Sequence, residues 1–150
     1  MNPLIPPPVV AAIIGALMWV VNRSLPWGGF TFEFREPAAL LLLATGLLLM
    51  LAAAGQFFAA KTTINPMRPA NASKLITTGV FAMSRNPIYL ADLLILAAVA
   101  VWLGNVINTA LPALFVCYLN RFQIAPEEHA LSERFGEAYA AYRARVRRWV

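Results

Sequence analysis

The sequence predicts an all-α integral membrane protein with about four hydrophobic helices, the last two a short helical hairpin, and a C-terminal amphipathic interfacial helix. Three observations predict it. The 150-residue chain is 60% apolar and only 13% charged, against roughly 45–50% and 25% in soluble domains. Its charges fall in short segments that leave long uncharged stretches between them, and near the C-terminus apolar residues recur at steps of three and four. The mean hydropathy of +0.65 excludes a disordered chain, which needs low hydrophobicity to stay unfolded. The length suits one domain, residues 1–150.

A helix crosses the hydrocarbon core with about 20 mostly apolar residues. Asn2 to Asn22 carries no charge, and Val9 to Val21 is almost wholly apolar, so the first span is placed at about 4–22. Pro6, Pro7 and Pro8 open it, where a missing N–H costs little. No basic residue precedes it and no small-residue cleavage site follows, so a retained span is expected rather than a removed signal peptide. The second span, about 37–60, is again uncharged. Within it Ala39, Gly46, Ala53 and Ala60 recur every seven residues, either by chance in an alanine-rich stretch or as a stripe that lets a neighbouring helix approach closely.

Ile88 to Asn120 carries a single charge, Asp92, and is interrupted by Gly104-Asn105, with Asn108 and Pro112 beyond. A helix from Ile88 to Leu103 would be roughly 24 Å long at 1.5 Å per residue, short of the ~30 Å core. Two short helices, about 87–103 and 106–122, therefore form a hairpin that need not fully cross. The tail helix is expected over about 126–149. Pro126 suits its first turn, and Glu127 and Glu128 fall where a helix dipole favours negative charge. Leu131, Phe135, Tyr139, Tyr142, Val146 and Trp149 form its apolar face. Arg143, Arg145, Arg147 and Arg148 crowd its far end, as on a helix lying against an anionic membrane surface.

Charge sets the expected orientation. Lys61–Pro87 holds Lys61, Arg68, Lys74 and Arg85 and no acid, Asn22–Glu36 is balanced, and the tail from Arg121 has six arginines against four glutamates. Basic loops stay cytoplasmic, so both basic segments face the cytoplasm, in a bacterial-type inner membrane. The net charge of +5 needs no nucleic-acid partner to explain it.

Several chemistries are excluded by inventory. The chain has one cysteine, Cys117, and one histidine, His129, so a Cys/His metal site cannot be built. Cys117 reads as an inert core residue and His129 as a solvated side chain. No G-x-G-x-x-G or P-loop occurs. What remains is polar residues at the ends of the hydrophobic helices. Pro87 opens the third helix, with Gly79, Arg85 and Asn86 in the loop before it, and Tyr89 and Asp92 share a face one turn in. A carboxylate within a span is a functional candidate by default, whereas a structural reading pairs Asp92 with Arg85. The second cluster is Arg121 followed by Glu127 and Glu128. Carboxylates beside an arginine can hold a polar ligand, or simply cap a surface helix.

Read in order, Leu75…Thr78-Gly79…Arg85-Asn86-Pro87-x-Tyr89, then Arg121, then Glu127-Glu128-x-x-Leu131…Phe135-Gly136-x-x-Tyr139-x-x-Tyr142…Val146 resembles the isoprenylcysteine carboxyl methyltransferase superfamily, which includes phospholipid N-methyltransferases. The resemblance covers about half the chain, Leu75 to Arg148. It implies transmembrane helices with S-adenosylmethionine bound at the cytoplasmic side. It assigns Arg85, Asn86, Pro87, Tyr89, Leu90, Glu127 and Glu128 to the cofactor pocket, and it makes Arg121 the catalytic residue, directed toward the acceptor. The implied acceptor is a small lipophilic molecule or a lipid presented from the bilayer, methylated on O, N or S without a metal. Arg85-Asn86-Pro87-x-Tyr89-x-Ala91-Asp92 is also similar to a segment of NADPH-dependent membrane sterol reductases, although their second stretch has no counterpart at Asn120–Pro126. A non-enzymatic membrane protein is the third possibility.

Overall fold

In the computed structural model of the chain, residues 5–60 and 74–150 are described. They form the α-helices α1 (Pro7–Ser24), α2 (Arg35–Ala59), α3 (Pro87–Leu103), α4 (Leu111–Tyr118) and α5 (Ala125–Arg145). Short 3-10 turns lie at Pro26–Gly28, Gly79–Ala82 and Val106–Thr109. No strand occurs among the described residues, only an isolated bridge between Gly29 and Asn105. The class is all-α. Lys61 and Arg68, half of the basic segment before Pro87, lie outside the described residues.

Helices α1 and α2 are long and apolar enough to cross a membrane, while α3 is equally apolar but has 17 residues. The faces of α1 and α2 that meet no other element are greasy: Val9, Ile13 and Leu17 on α1, and Leu41, Leu48 and Leu51 on α2, are exposed.

Helix α3 is the central element, packed against both α1 and α2. Ala39, Gly46 and Ala53, three members of the seven-residue stripe, are the buried residues of α2. A Cβ on Gly46 would sit 3.0 Å from the Ala91 carbonyl oxygen and 3.0 Å from Ile95 Cγ1. The stripe is thus the surface on which two helix backbones touch, the kind of contact only small residues permit. On the other side, Val10, Ile14 and Met18 of α1 close a cluster with Tyr89, Leu96, Ala100, Phe115, Leu119 and Ile124.

Gly104 ends α3 at φ 60°, a left-handed position that costs glycine no steric strain. Its carbonyl accepts from Phe30 N at 2.7 Å. Asn105 Nδ2 donates to Leu25 O at 2.8 Å and Asn108 Nδ2 to Met18 O at 3.1 Å. The hairpin turn is thereby tied to the α1–α2 connection.

Beyond the hairpin the structure departs from expectation in three ways. First, α4 and α5 do not frame a loop: Leu119–Ile124 is a π-helical segment that makes 111–135 one helical path. Glu127 and Glu128 therefore do not stand at a free helix N-terminus, because the preceding turns already occupy the N–H groups. Pro126 accounts for the π segment. It has no N–H to return to Phe122, and its ring crowds that carbonyl in an α geometry, so the helix widens just ahead of it. Second, α5 kinks at Gly136 (φ 50°, ψ −122°) and ends at Arg145, short of the expected 149. Third, Cys117 is exposed rather than in the core, since Phe115 and Leu119 hold the inward positions.

The contact at Gly46 can be checked directly. Gly46→Val places branched carbons against the Ala91 carbonyl, and overpacking of this kind costs about 1–3 kcal/mol. Gly55→Ala, where nothing lies within 4 Å, is expected to be neutral or stabilising by up to about 1 kcal/mol. Thermal unfolding in detergent should therefore show a lowered Tm for the first variant only; equal Tm values would mean that α2 and α3 do not touch there.

Candidate functional site

Three segments separated in sequence meet at the start of α3: the turn Ser84–Asn86, the π segment with the first turn of α5, and the last residues of the chain. Pro87, fully buried, begins α3, and Asn86 O accepts from Leu90 N at 2.9 Å. One turn further, Tyr89 Oη donates to Glu127 Oε1 at 2.9 Å. Gln123 Nε2, brought round by the π segment, donates to the same oxygen at 3.0 Å. Burial pushes the Glu127 carboxyl up to about 7; the two hydrogen bonds pull it back, and the neighbouring Glu128 adds to the rise. Both of these bonds fall on Oε1.

Glu128 is held differently, with 10% of its side chain exposed and two guanidiniums on its carboxylate. Arg148 grips it with a fork, Nε to Oε1 at 3.1 Å and Nη2 to Oε2 at 2.7 Å. Arg85 reaches it through Nη2 alone, 3.1 Å from Oε1. The other nitrogens of Arg85, Nε and Nη1, are buried and have no hydrogen-bond partner among the described residues. The Tyr139 phenol is raised mainly by burial and by Glu128, with Arg85 offsetting part of the rise.

From Val146, which is extended (φ −120°, ψ 130°), the chain crosses this cluster. Arg147 O accepts from Arg85 N at 3.0 Å, and Arg148 O accepts from Asn86 Nδ2 at 2.9 Å and from Ser84 Oγ at 3.4 Å. Arg148 Nη1 and Trp149 Nε1 both donate to Asn120 Oδ1, at 3.3 and 3.2 Å. Leu131, Phe135, Tyr139, Tyr142 and Val146 pack with Leu75, while Trp149 joins the main core instead.

Of the residues singled out from sequence, Arg85, Asn86, Pro87, Tyr89, Glu127 and Glu128 come together. Asn86 gives its amide to the chain terminus, and Leu90 is half-buried beside the cluster. Arg121 does not join: it is exposed on the π segment, with no hydrogen bond or ion pair to the carboxylates. Asp92 is buried, yet Arg85 pairs with Glu128 and not with Asp92. His129 is exposed, 3.4 Å from Glu133. Sequence reasoning missed Gln123 and Arg148. Arg148 was grouped with its basic neighbours on a membrane surface, and the spacing gave no signal against that, since Val146 and Trp149 keep the helical step of three.

Chemically, the cluster offers a buried guanidinium edge with open donor capacity beside a carboxyl poised between its charged and neutral forms. That combination suits a ligand bearing both a carboxylate and hydroxyl or amino groups. Among the described residues no group of three or more His, Cys, Asp or Glu could hold a metal ion.

Comparison with known proteins bears on the same region. The family model described as phospholipid methyltransferase matches residues 34–138. An uncharacterized protein of Haemophilus influenzae is 45% identical over 62 residues, 41% of this chain and 98% of that protein. No solved structure matches significantly.

The state of Glu127 has a measurable consequence. Its folded pKa of about 7 lies above the ordinary 4.5, so between those values the folded chain holds more protons than the unfolded one. The stability this contributes is complete below the lower value and is lost as pH rises through the upper one. Glu127→Gln stays neutral throughout, so the Tm of the wild type should fall relative to the variant from about pH 5 to about pH 8. Parallel Tm–pH curves would show that Glu127 is ionised across this range.

Proposed function

The chain belongs to the phospholipid methyltransferase family, and from that premise we propose that it is an S-adenosylmethionine-dependent integral membrane methyltransferase. On this reading it acts on a small lipophilic or lipid acceptor at the cytoplasmic face of the bilayer. The observation that carries the proposal is the Arg85 guanidinium, 11% exposed, with Nε and Nη1 unpartnered in a buried cluster. A guanidinium edge matches a carboxylate, and Glu127 Oε2 accepts from a hydroxyl or an amino group. These are the polar groups of the donor.

S-Adenosylmethionine supplies a methyl group activated by its sulfonium, and the protein's part is to hold donor and acceptor in line. Arg85 binds the donor's carboxylate end while Glu128 keeps its guanidinium in place. Tyr89 and Gln123 orient Glu127. Arg121, outside the carboxylate cluster but on the same helical path, is free to orient an acidic group on the acceptor. A carboxylate acceptor is ionised at neutral pH and needs no base. An amine or thiol acceptor has a proton to lose, and Glu127, with a pKa near 7, is matched to take it. The two apolar helices and the basic residues Lys74, Arg85 and Arg121 support a cytoplasmic site in a membrane.

Titration of the purified protein in detergent tests the proposal. S-Adenosylhomocysteine should raise the Tm, as a ligand of the native state must, and NADP should not. The reverse result selects a reductase; no response to either refutes the enzyme reading. Glu127→Ala should weaken S-adenosylhomocysteine binding about tenfold. Arg121→Ala should leave that binding unchanged and lower kcat/KM about 10- to 100-fold, the size of a lost charge-assisted hydrogen bond. Labelled donor incubated with a lipid extract identifies the acceptor.

A further inference from the structure

We infer that Asn120 is the latch of a strap: its carboxamide holds residues 147–150 closed over the donor pocket, and they lift from it each time the donor enters or the product leaves. The inference rests on the methyltransferase reading.

On that reading the donor's carboxylate has to reach Arg85, yet Arg85 Nε and Nη1 are buried and the side chain is 11% exposed. Glu128 beside it is 10% exposed. A site closed to this degree exchanges its ligand only when a covering part moves. Of the segments that meet there, α3, the π segment and α5 carry main-chain hydrogen-bond ladders, and the turn Ser84–Asn86 is short and runs directly into α3. Residues 147–150 follow α5 without helix or strand. Opening such a segment costs far less than global unfolding.

The attachments of this segment divide in two. Its main chain is fixed to the turn before α3, Arg147 O by Arg85 N and Arg148 O by Asn86 Nδ2. Further along it is held through side chains. Arg148 Nη1 and Trp149 Nε1 both donate to Asn120 Oδ1, at 3.3 and 3.2 Å, the long end of the N–H···O range. One neutral oxygen therefore carries two of the outer attachments. The other, the Arg148 guanidinium on Glu128, belongs to a side chain 35% exposed, where water replaces the pairing at little cost. Trp149 adds only partial burial against the core. The main-chain bonds act as the hinge and Asn120 as the catch, so release of one oxygen frees the indole and the guanidinium together.

Asn120 is none of the donor or acceptor residues named above, so its variants test the strap and not the pocket. The measurement follows binding of tritiated S-adenosylhomocysteine to the full chain in detergent, then its release into an excess of unlabelled ligand. A catch shuts the free and the bound protein alike. Asn120→Ala should therefore quicken association and dissociation about tenfold each and leave Kd within about threefold. Asn120→Asp offers a charged acceptor to the same two donors and should slow both rates. Trp149→Phe keeps a ring against the core and loses one donor; it should quicken both rates by a smaller factor, and it carries the test where Asn120→Ala does not fold. Faster dissociation with association unchanged would mean that the segment binds the ligand directly. Rates indifferent to all three changes would mean a fixed wall. Either result overturns the inference and leaves the methyltransferase reading standing, whereas a wild type that binds no S-adenosylhomocysteine removes both.

Discussion

The Glu128 carboxylate is the point on which this end of the molecule depends. Arg85 comes from the turn before α3, Glu128 from the first turn of α5, and Arg148 from the chain terminus. No backbone ladder joins these segments among the described residues; the first and last are linked by Arg85 N to Arg147 O and by the Ser84 and Asn86 side chains to Arg148 O. Taking the Arg85 and Glu128 charges out of water costs several kcal/mol per ion before pairing returns any of it, while Arg148 keeps 35% of its side chain exposed. Such a cluster is a poor way to gain stability, and an apolar triad of similar volume would pack as well. Its value lies in the orientation it imposes on guanidinium groups that would otherwise rotate freely.

The π segment performs the complementary task for Glu127. In an uninterrupted α-helix, residues 123 and 127 would be stacked one turn apart with no reason to face α3. Gln123, within the π segment Leu119–Ile124, is buried and shares Glu127 Oε1 with Tyr89. The cause is local, a proline at 126 with no N–H to give. The effect is long-range, since Tyr89 and Glu127 are 38 residues apart. Insertions of this kind are often found at functional sites because they re-aim a side chain without ending the helix.

Much of this was legible in the sequence, and the parts that were not share a physical reason. The helical class followed from uncharged stretches, and the α2 stripe from a seven-residue spacing that proved to be the face buried on α3. Six of the residues assigned to the pocket meet at one place. The continuity of α4 with α5 was not legible, because proline reads equally as a helix start or as a bulge inside one, and only packing decides. Arg148 was hidden for a related reason. Periodicity reports which face of a helix is apolar, and Arg148 lies past the helix end, where the chain doubles back and a charge finds its partner 20 residues away. The pairing of Asp92 with Arg85 was reasoned from proximity in sequence; the structure places Arg85 on Glu128 instead.

Both ends of α3 carry buried polar groups, and the two ends differ in what those groups lack. At 17 residues and 1.5 Å per residue, α3 is about 25 Å long, so neither end is far from the limit of a ~30 Å hydrocarbon layer. At the Gly104 end, Asn105 and Asn108 donate to main-chain carbonyls of Leu25 and Met18, and the polar atom left over, Asn108 Oδ1, is neutral. An unmet neutral acceptor costs about 1–3 kcal/mol, which a well-packed hairpin can absorb. At the Pro87 end the unmet atoms belong to a guanidinium, and the penalty for a charged group is larger. Amides that tie loops together need no visitor; a cation whose hydrogen-bonding edge is left open by its own neighbours does. On the methyltransferase reading, a donor from water and an acceptor from lipid meet where both phases reach. That reading puts the meeting point at the Pro87 end of α3, where a buried guanidinium with unmet N–H groups lies at the end of an apolar helix.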